Sequence, residues 1–255
     1  MRLNPVVITR PAAQAEALAA RVRALGREAV VFPLLEIHPL PDQRPLQAAL
    51  AGLADYSLVA FVSPNAIDAA FAARPQWPAH PTLAVVGEGS RAALARHGMT
   101  ETNATIISPR DAQRTDSQTL LAVLDVAALR GKRVLIVRGE TGRELLADAL
   151  RAAGAQVTQV AAYRRTAPRL DTARRAQLLS LLDSESSWIV TSSEALRILL
   201  DMVREAATAD GVAKMQHKKL IIPHVRIAET ARALGFHEIS LTGSGDEALL
   251  AALQF

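Results

Sequence analysis

The chain contains no cysteine among its 255 residues. Disulfides, iron–sulfur clusters, thiolate nucleophiles and cysteine-ligated zinc are therefore excluded, and the composition suits a reducing compartment. No apolar run approaches the length that spans a bilayer, and the short run before Thr9-Arg10-Pro11 has no signal-peptide core. These absences predict a soluble, cytoplasmic protein that has no membrane partner.

Aromatic residues are also scarce, at 4% of the chain. The arginines are scattered rather than clustered with aromatic side chains, which argues against a nucleic-acid partner. The net charge is only +4, from 29 basic and 25 acidic residues. This mild excess favours a small anionic ligand over a nucleic acid.

The common catalytic motifs are missing as well. The sequence has no phosphate-binding G-x-x-x-x-G-K-[ST] loop, no G-x-S-x-G elbow and no H-E-x-x-H pair. Its six histidines show no metal-ligand spacing, so we expect no metal site. Residues 87–92 do match the dinucleotide motif G-x-G-x-x-A, but the corresponding segment 223–228 lacks it, which makes the match weak.

What the sequence does contain is an internal duplication. Residues 5–33 are echoed by residues 132–160, with Arg10 matching Arg138 and Gly26 matching Gly154 at an offset of 128. Two further blocks recur in the same order, 59–71 with 187–199 at the same offset and 83–99 with 220–236 at an offset of 137, after an insertion of roughly nine residues. Self-similarity at a fixed offset is typical of a duplicated structural unit, so we expect two similar lobes with a ligand-binding cleft between them.

Each copy alternates short β-branched runs with stretches of helical period, which predicts an α/β fold with parallel sheets. At equivalent points, an extended segment that ends in proline follows a strand, namely Phe32–Pro39 and Val160–Pro168. We interpret these segments as paired linkers between the lobes. The predicted boundaries are 1–36 and 168–255 for lobe 1, 39–164 for lobe 2, and about 33–39 and 160–168 for the linkers.

Helix N-termini at the carboxyl ends of parallel strands are the main candidates for ligand binding. Their free N–H groups and positive dipole ends favour anions, and ligands of open α/β sheets bind at this edge. The predicted substrate-binding residues are Arg10, Ser63, Asn65, Ser90, Arg138, Gly139, Thr191, Ser192, Arg226 and Ile227. The alternative for each hydroxyl is that it only caps its own helix.

Several segments, in this order and spacing, resemble the uroporphyrinogen-III synthase family. They are Ile8-Thr9-Arg10-Pro11, Phe61–Ala66, Leu135–Gly139, Tyr163-Arg164-Arg165, Thr191-Ser192-Ser193 and His224–Ala228. The resemblance implies two flavodoxin-like lobes joined by a two-stranded linker. It also implies a monomeric lyase of porphyrin and heme biosynthesis that uses no cofactor. Ser90 stands where threonine is commoner in the family.

The reaction that the resemblance implies is the cyclisation of hydroxymethylbilane, a linear tetrapyrrole, to uroporphyrinogen III. Ring D is inverted and water is lost. Tyr163 matches the linker tyrosine of the family and is the predicted catalytic residue. The competing hypothesis is a non-catalytic, two-lobed cytoplasmic binding protein for an anionic small molecule. The two hypotheses differ in whether the protein changes the isomer that forms from hydroxymethylbilane.

Overall fold

The computed structural model describes residues 4–109, 116–207 and 210–254. The chain divides into two compact units, which we call unit 1 (residues 1–36 and 166–255) and unit 2 (residues 37–165). None of the helices within these described ranges is long and apolar enough to cross a membrane.

The elements alternate between strand and helix along most of the chain. The strands are β1 (Val6–Ile8), β2 (Ala29–Val31), β3 (Glu36–Pro39), β4 (Leu58–Phe61), β5 (Thr82–Val85), β6 (Ile106–Ile107), β7 (Arg133–Gly139), β8 (Gln156–Thr166), β9 (Ser187–Ile189), β10 (Lys219–Ile222) and β11 (Ile239–Leu241). The helices are α1 (Ala12–Ala24), α2 (Arg44–Ala51), α3 (Pro64–Ala73), α4 (Glu88–Arg96), α5 (Ser117–Val123), α6 (Leu145–Ala152), α7 (Thr172–Asp183), α8 (Ser193–Ala206), α9 (Gly211–Gln216), α10 (Val225–Ala233) and α11 (Asp246–Ala251).

Each unit is built on one sheet. The sheet of unit 1 has the order β11-β10-β9-β1-β2, and its neighbouring strands pair in parallel. Numbered along this unit, the strands read 5-4-3-1-2, which is the doubly wound order of flavodoxin. Alternate residues of β1 pack into cores on opposite faces, Val7 on one face and Val6 and Ile8 on the other. A parallel sheet covered on both faces requires such continuous apolar strands.

The sheet of unit 2 has the order β3-β8-β7-β4-β5-β6. Strands β4 to β8 pair in parallel and repeat the order of unit 1, with β7 and β8 in the places of β1 and β2. The duplication therefore has a structural counterpart, because the two units share one strand order. Counted from β2 and from β8, the five shared strands differ in which comes first along the chain, β1 at the second place in unit 1 and β4 at the third place in unit 2. The predicted α/β fold with parallel sheets is confirmed. The two predicted linker segments, Phe32–Pro39 and Val160–Pro168, contain β3 and the end of β8, which are neighbours in this sheet.

The strand and helix boundaries that sequence periodicity predicts lie mostly within a few residues of the observed ones. Local sequence also predicts N-caps at Ser63 and Ser117, with Pro64 at the first helical position, and a strand that ends at Val160. Ser63 caps α3 through its hydroxyl, and Pro64 takes the first helical position, both as predicted. The prediction of Ser117 as a cap was wrong, because Asp116 accepts hydrogen bonds from the backbone N–H groups of residues 118 and 119. Sequence periodicity also missed the short helices α2 and α9 and ended β8 at Val160 rather than Thr166.

Within unit 1, Arg174 of α7 contacts the start of the first linker segment, Phe32–Pro39. Its guanidinium lies over the Phe32 ring, 4.3 Å from the centroid, and donates a hydrogen bond to the carbonyl of Pro33. Phe32 is fully buried and packs edge-on against Trp188. Burial lowers the pKa of Arg174, while Glu36 and Asp171 act in the opposite direction. A planar cation that stacks and donates at once fits this position better than an ammonium group.

We expect Arg174→Lys to lower the free energy of unfolding by about 1–2 kcal/mol, because lysine keeps the charge but loses the stacked, hydrogen-bonded fork. Urea denaturation followed by tryptophan fluorescence measures the change. Arg175→Lys is the matched control, since its guanidinium bonds to Glu205 at the surface. Equal effects of the two substitutions would show that the stacking is not stabilising.

Candidate functional site

The strand order of unit 2 reverses direction between β7 and β4, and ligands of doubly wound sheets bind at such a switch point. Gly139 is the last residue of β7, and Ser63 follows β4 by two residues. Tyr163 lies on β8, the other neighbour of β7, and is paired with Gly139 after a shift in register. The topology therefore places these three predicted site residues at one edge of one sheet.

The phenol of Tyr163 extends across β7 to reach the end of β4. Its Oη lies 3.0 Å from the Ser63 Oγ, which also accepts the backbone N–H of Ala66 at 3.1 Å. A Cβ atom on residue 139 would lie 3.1 Å from the Tyr163 Cζ and 3.2 Å from its Oη. Such distances are tighter than nearly all Cβ contacts, so the bare α-carbon of Gly139 leaves the space that the phenol occupies.

Tyr163 is 3% exposed and belongs to the hydrophobic core of unit 2. Its backbone is fixed as well, because its carbonyl accepts the N–H of Glu140 at 2.8 Å. Two roles fit this position, a packed aromatic ring and a shielded hydrogen-bond donor. The contact with Ser63 distinguishes Tyr163 from the other tyrosine, Tyr56, because the described contacts of Tyr56 show Arg133 over its ring and no partner for its hydroxyl.

Arg138 is also buried, and protein groups already occupy its guanidinium. Its Nη1 donates to Glu144 Oε1 at 2.5 Å and to Gln159 Oε1 at 3.0 Å, and the Gln159 amide donates to the other oxygen of Glu144. The closed triad satisfies a side chain that is 10% exposed. A ligand carboxylate would compete with Glu144 for this guanidinium.

The other predicted residues of unit 2 differ in exposure. Ser90 is 2% exposed, and its backbone N–H donates to the Gly87 carbonyl in the first turn of α4. Asn65 is half-buried in the first turn of α3. Gly87, which precedes α4, has an extended backbone conformation. Ser90 and Asn65 lie where they do because α4 begins after β5 and α3 begins after β4.

In unit 1 the corresponding switch point lies between β1 and β9. Arg10, two residues after β1, forms an ion pair with Asp246 at 2.6 Å. Thr191 is half-buried after β9, and Ser192 caps α8 by accepting the N–H groups of residues 194 and 195. The structure thus gives the Ser192 hydroxyl the capping role that we considered as the alternative.

Two predicted residues follow β10. Arg226 is exposed in the first turn of α10. Ile227 is 2% exposed, and its backbone N–H already donates to the His224 carbonyl. Of this pair, only Arg226 presents its side chain at the surface.

Sequence reasoning missed the acidic partners Glu144 and Asp246. Glu144 carries a weak signal, because it follows Arg138 by six residues across a Gly-containing loop. Asp246 carries none, since 236 residues separate it from Arg10. Arg10 follows β1 by two residues and Arg138 is the penultimate residue of β7. Both are paired with a carboxylate at the start of a later helix.

Chemically, the site offers hydroxyls, backbone amides and one phenol. Among the residues that the structure describes, no three His, Asp or Glu side chains are grouped so as to hold a metal ion. The phenol of Tyr163 is the one candidate in this group for proton donation, and hydroxyls and amides can bind carboxylates. The fold defines a two-unit α/β protein with polar groups at the carboxyl edges of its parallel sheets.

Comparison with known proteins identifies the family. A family model described as uroporphyrinogen-III synthase HemD matches residues 16–244. The chain is 34% identical over 254 residues to the uroporphyrinogen-III synthase of Escherichia coli (strain K12), which covers 98% of this chain and 99% of that protein. The chain belongs to the uroporphyrinogen-III synthase family.

Solved structures support the fold. The uroporphyrinogen-III synthetase of Helicobacter pylori 26695 has a TM-score of 0.61 at 14% identity, with 100% of this chain and 99% of that chain covered. A mutant uroporphyrinogen III synthase of the extremely thermophilic bacterium Thermus thermophilus has a TM-score of 0.60 at 18% identity, with 98% and 96% covered. At these identities the similarity concerns the fold alone.

The triad around Arg138 predicts a structural contribution from this residue. We expect Arg138→Met to lower the free energy of unfolding by about 1–3 kcal/mol, because charged hydrogen bonds to Glu144 and Gln159 are lost. Arg151→Met on α6 is the control, since its exposed pair with Asp148 contributes less than about 0.5 kcal/mol. Chemical denaturation measures both. An unchanged stability in Arg138→Met would show that the triad is dispensable to the fold.

Proposed function

We propose that this protein catalyses the cyclisation of hydroxymethylbilane to uroporphyrinogen III, with inversion of ring D and loss of water. The observation that carries the proposal is the 34% identity to the Escherichia coli enzyme over nearly the whole length of both chains. It favours catalysis over the alternative of a binding protein. We further propose a cytoplasmic monomer.

The proposed chemistry begins at the hydroxymethyl group of the substrate. Tyr163 donates its phenolic proton to the hydroxyl, the carbon–oxygen bond breaks, and its electron pair leaves with the oxygen as water. The adjacent pyrrole nitrogen stabilises the cationic carbon that remains. Ring closure at the substituted carbon of ring D, rearrangement through a spiro intermediate and loss of a ring proton then give the macrocycle. The phenolate regains a proton at that stage.

The substrate carries several carboxylates, which need donors to hold the chain in the folded conformation. The proposed binding groups are the helix N-termini with Ser63, Asn65, Ser90, Thr191, Ser192 and Ile227, the amide of Gly139, and the guanidiniums of Arg10, Arg138 and Arg226. Arg226 is the most accessible of these cations. Because Arg10 and Arg138 are already paired with carboxylates, we expect them to contribute less direct binding. Holding reacting groups in a near-attack geometry supplies a large part of such a rate enhancement.

The function is tested by the isomer that forms. Hydroxymethylbilane closes without a catalyst to the type I isomer, so we expect addition of this protein to shift the product to type III. Chromatography of the oxidised porphyrins measures the ratio. Persistent type I product in the presence of folded protein would overturn the proposal and favour a binding protein.

For the catalytic residue, we expect Tyr163→Phe to lower kcat for type III formation by about tenfold or more, near the low end for a general acid. KM and melting temperature should change little, because the ring and its packing remain. Tyr56→Phe is the matched control, since the chain has only two tyrosines and both are 3% exposed. An unchanged rate in Tyr163→Phe would assign the ring to packing alone.

A further inference from the structure

The hydroxyl of Ser63 has more than one partner. It accepts the backbone N–H of Ala66 at 3.1 Å and lies 3.0 Å from the Tyr163 Oη. A serine hydroxyl has one hydrogen and two lone pairs. A helix cap needs only one of the lone pairs, so the contact with Tyr163 lies beyond what capping α3 requires.

The direction of this hydrogen bond decides what Tyr163 can do. If Tyr163 donated to Ser63, its single proton would be engaged inside the protein. If Ser63 donates, the phenol accepts through a lone pair and keeps its proton for the substrate. The Ala66 N–H at Ser63 and the positive end of α3 polarise the Ser63 hydroxyl and strengthen it as a donor.

We propose that Ser63 and Gly139 are positioning residues for Tyr163, an inference that rests on the proposed function. Ser63 donates its hydrogen to the Tyr163 Oη, directs the phenolic proton toward the leaving hydroxyl, and stabilises the phenolate that remains after proton transfer. Gly139 leaves the space through which the phenol crosses β7, because a Cβ atom there would lie 3.2 Å from the Oη. The neighbouring strands β8, β7 and β4 bring the three residues together.

The internal duplication supports a specific role for this arrangement. At the offset of 128 residues, the position that matches Tyr163 is Leu35, and the position that matches Gly139 is Pro11. Leu35 is 6% exposed and packs in the core of unit 1. The two copies share their strand order, so the scaffold alone does not require a tyrosine beside a capping serine.

Substitutions at Ser63 separate capping from positioning. Aspartate is as good a cap as serine, but an ionised carboxylate only accepts hydrogen bonds. Ser63→Asp should therefore keep the melting temperature while it draws the phenolic proton of Tyr163 into the protein. We expect kcat for type III formation to fall about tenfold, as in Tyr163→Phe. Ser63→Thr keeps the hydroxyl and should retain most of the activity.

Loss of the hydroxyl gives the second test. We expect Ser63→Ala to lower kcat by about three- to tenfold, the effect of one hydrogen bond. The same change in a Tyr163→Phe background should have no further effect on kcat, since Ser63 acts through the phenol. Asp116→Ala removes a different cap in unit 2 and controls for helix destabilisation, so its kcat should equal that of the wild type.

Gly139→Ala tests the space beneath the phenol. We expect a loss of kcat at least as large as in Ser63→Ala, with type III still the product, because alanine keeps the backbone amide but displaces the ring. Wild-type activity in Gly139→Ala would overturn the role given to this glycine.

The outcomes distinguish the two levels of the proposal. Absence of type III product from the wild-type protein would refute the proposed function itself. If Tyr163→Phe slows the reaction but Ser63→Asp and Ser63→Ala do not, Tyr163 acts without Ser63 and the positioning proposal is wrong. Additive losses in the double variant would likewise overturn it, because Ser63 would then act independently of the phenol.

Discussion

The site of unit 2 depends on the parallel pairing of β7 between β8 and β4. Parallel pairing brings the carboxyl ends of all three strands to one edge, and neighbouring strands lie about 4.8 Å apart. A tyrosine from β8 is long enough to cross β7 and reach a group that follows β4, provided that β7 has no side chain in the way. Tyr163, Gly139 and Ser63 meet these conditions, and the strand order reverses at the same place.

Hydrophobic patterning was sufficient to predict the sheets, because strands buried on both faces are continuous apolar runs such as Leu58–Phe61. Ser63-Pro64 predicted the start of α3 from local chemistry alone. The contact between Ser63 and Tyr163 was beyond sequence reasoning, since it depends on a strand order and a register that no local pattern encodes. The helix α2 was missed for a different reason, because only two of its eight residues, Leu46 and Leu50, are buried.

Arg10 and Arg138 show that the surrounding fold determines the role of a residue. They lie at the carboxyl ends of β1 and β7, where anion-binding groups were predicted. The structure pairs each with a carboxylate, Asp246 in unit 1 and Glu144 in unit 2. Removing a cation from water costs free energy unless a partner compensates, and in each unit an acidic residue of a later segment supplies that partner. The predicted binding role therefore rests more on hydroxyls, amides and the exposed Arg226.

Duplication supplies two equivalent scaffolds, but a reaction needs only one proton donor. Both copies keep the strand order, the glycine that ends the first helix and a serine, Ser63 or Ser192, that caps the helix after the neighbouring strand. They differ at the position of Tyr163, where the other copy has a buried leucine that contributes only to packing. Shared features reflect what the fold requires, because each copy must bury its own sheet. The feature that breaks the internal symmetry is not required by the fold, and this is the physical reason for proposing Tyr163 as the proton donor.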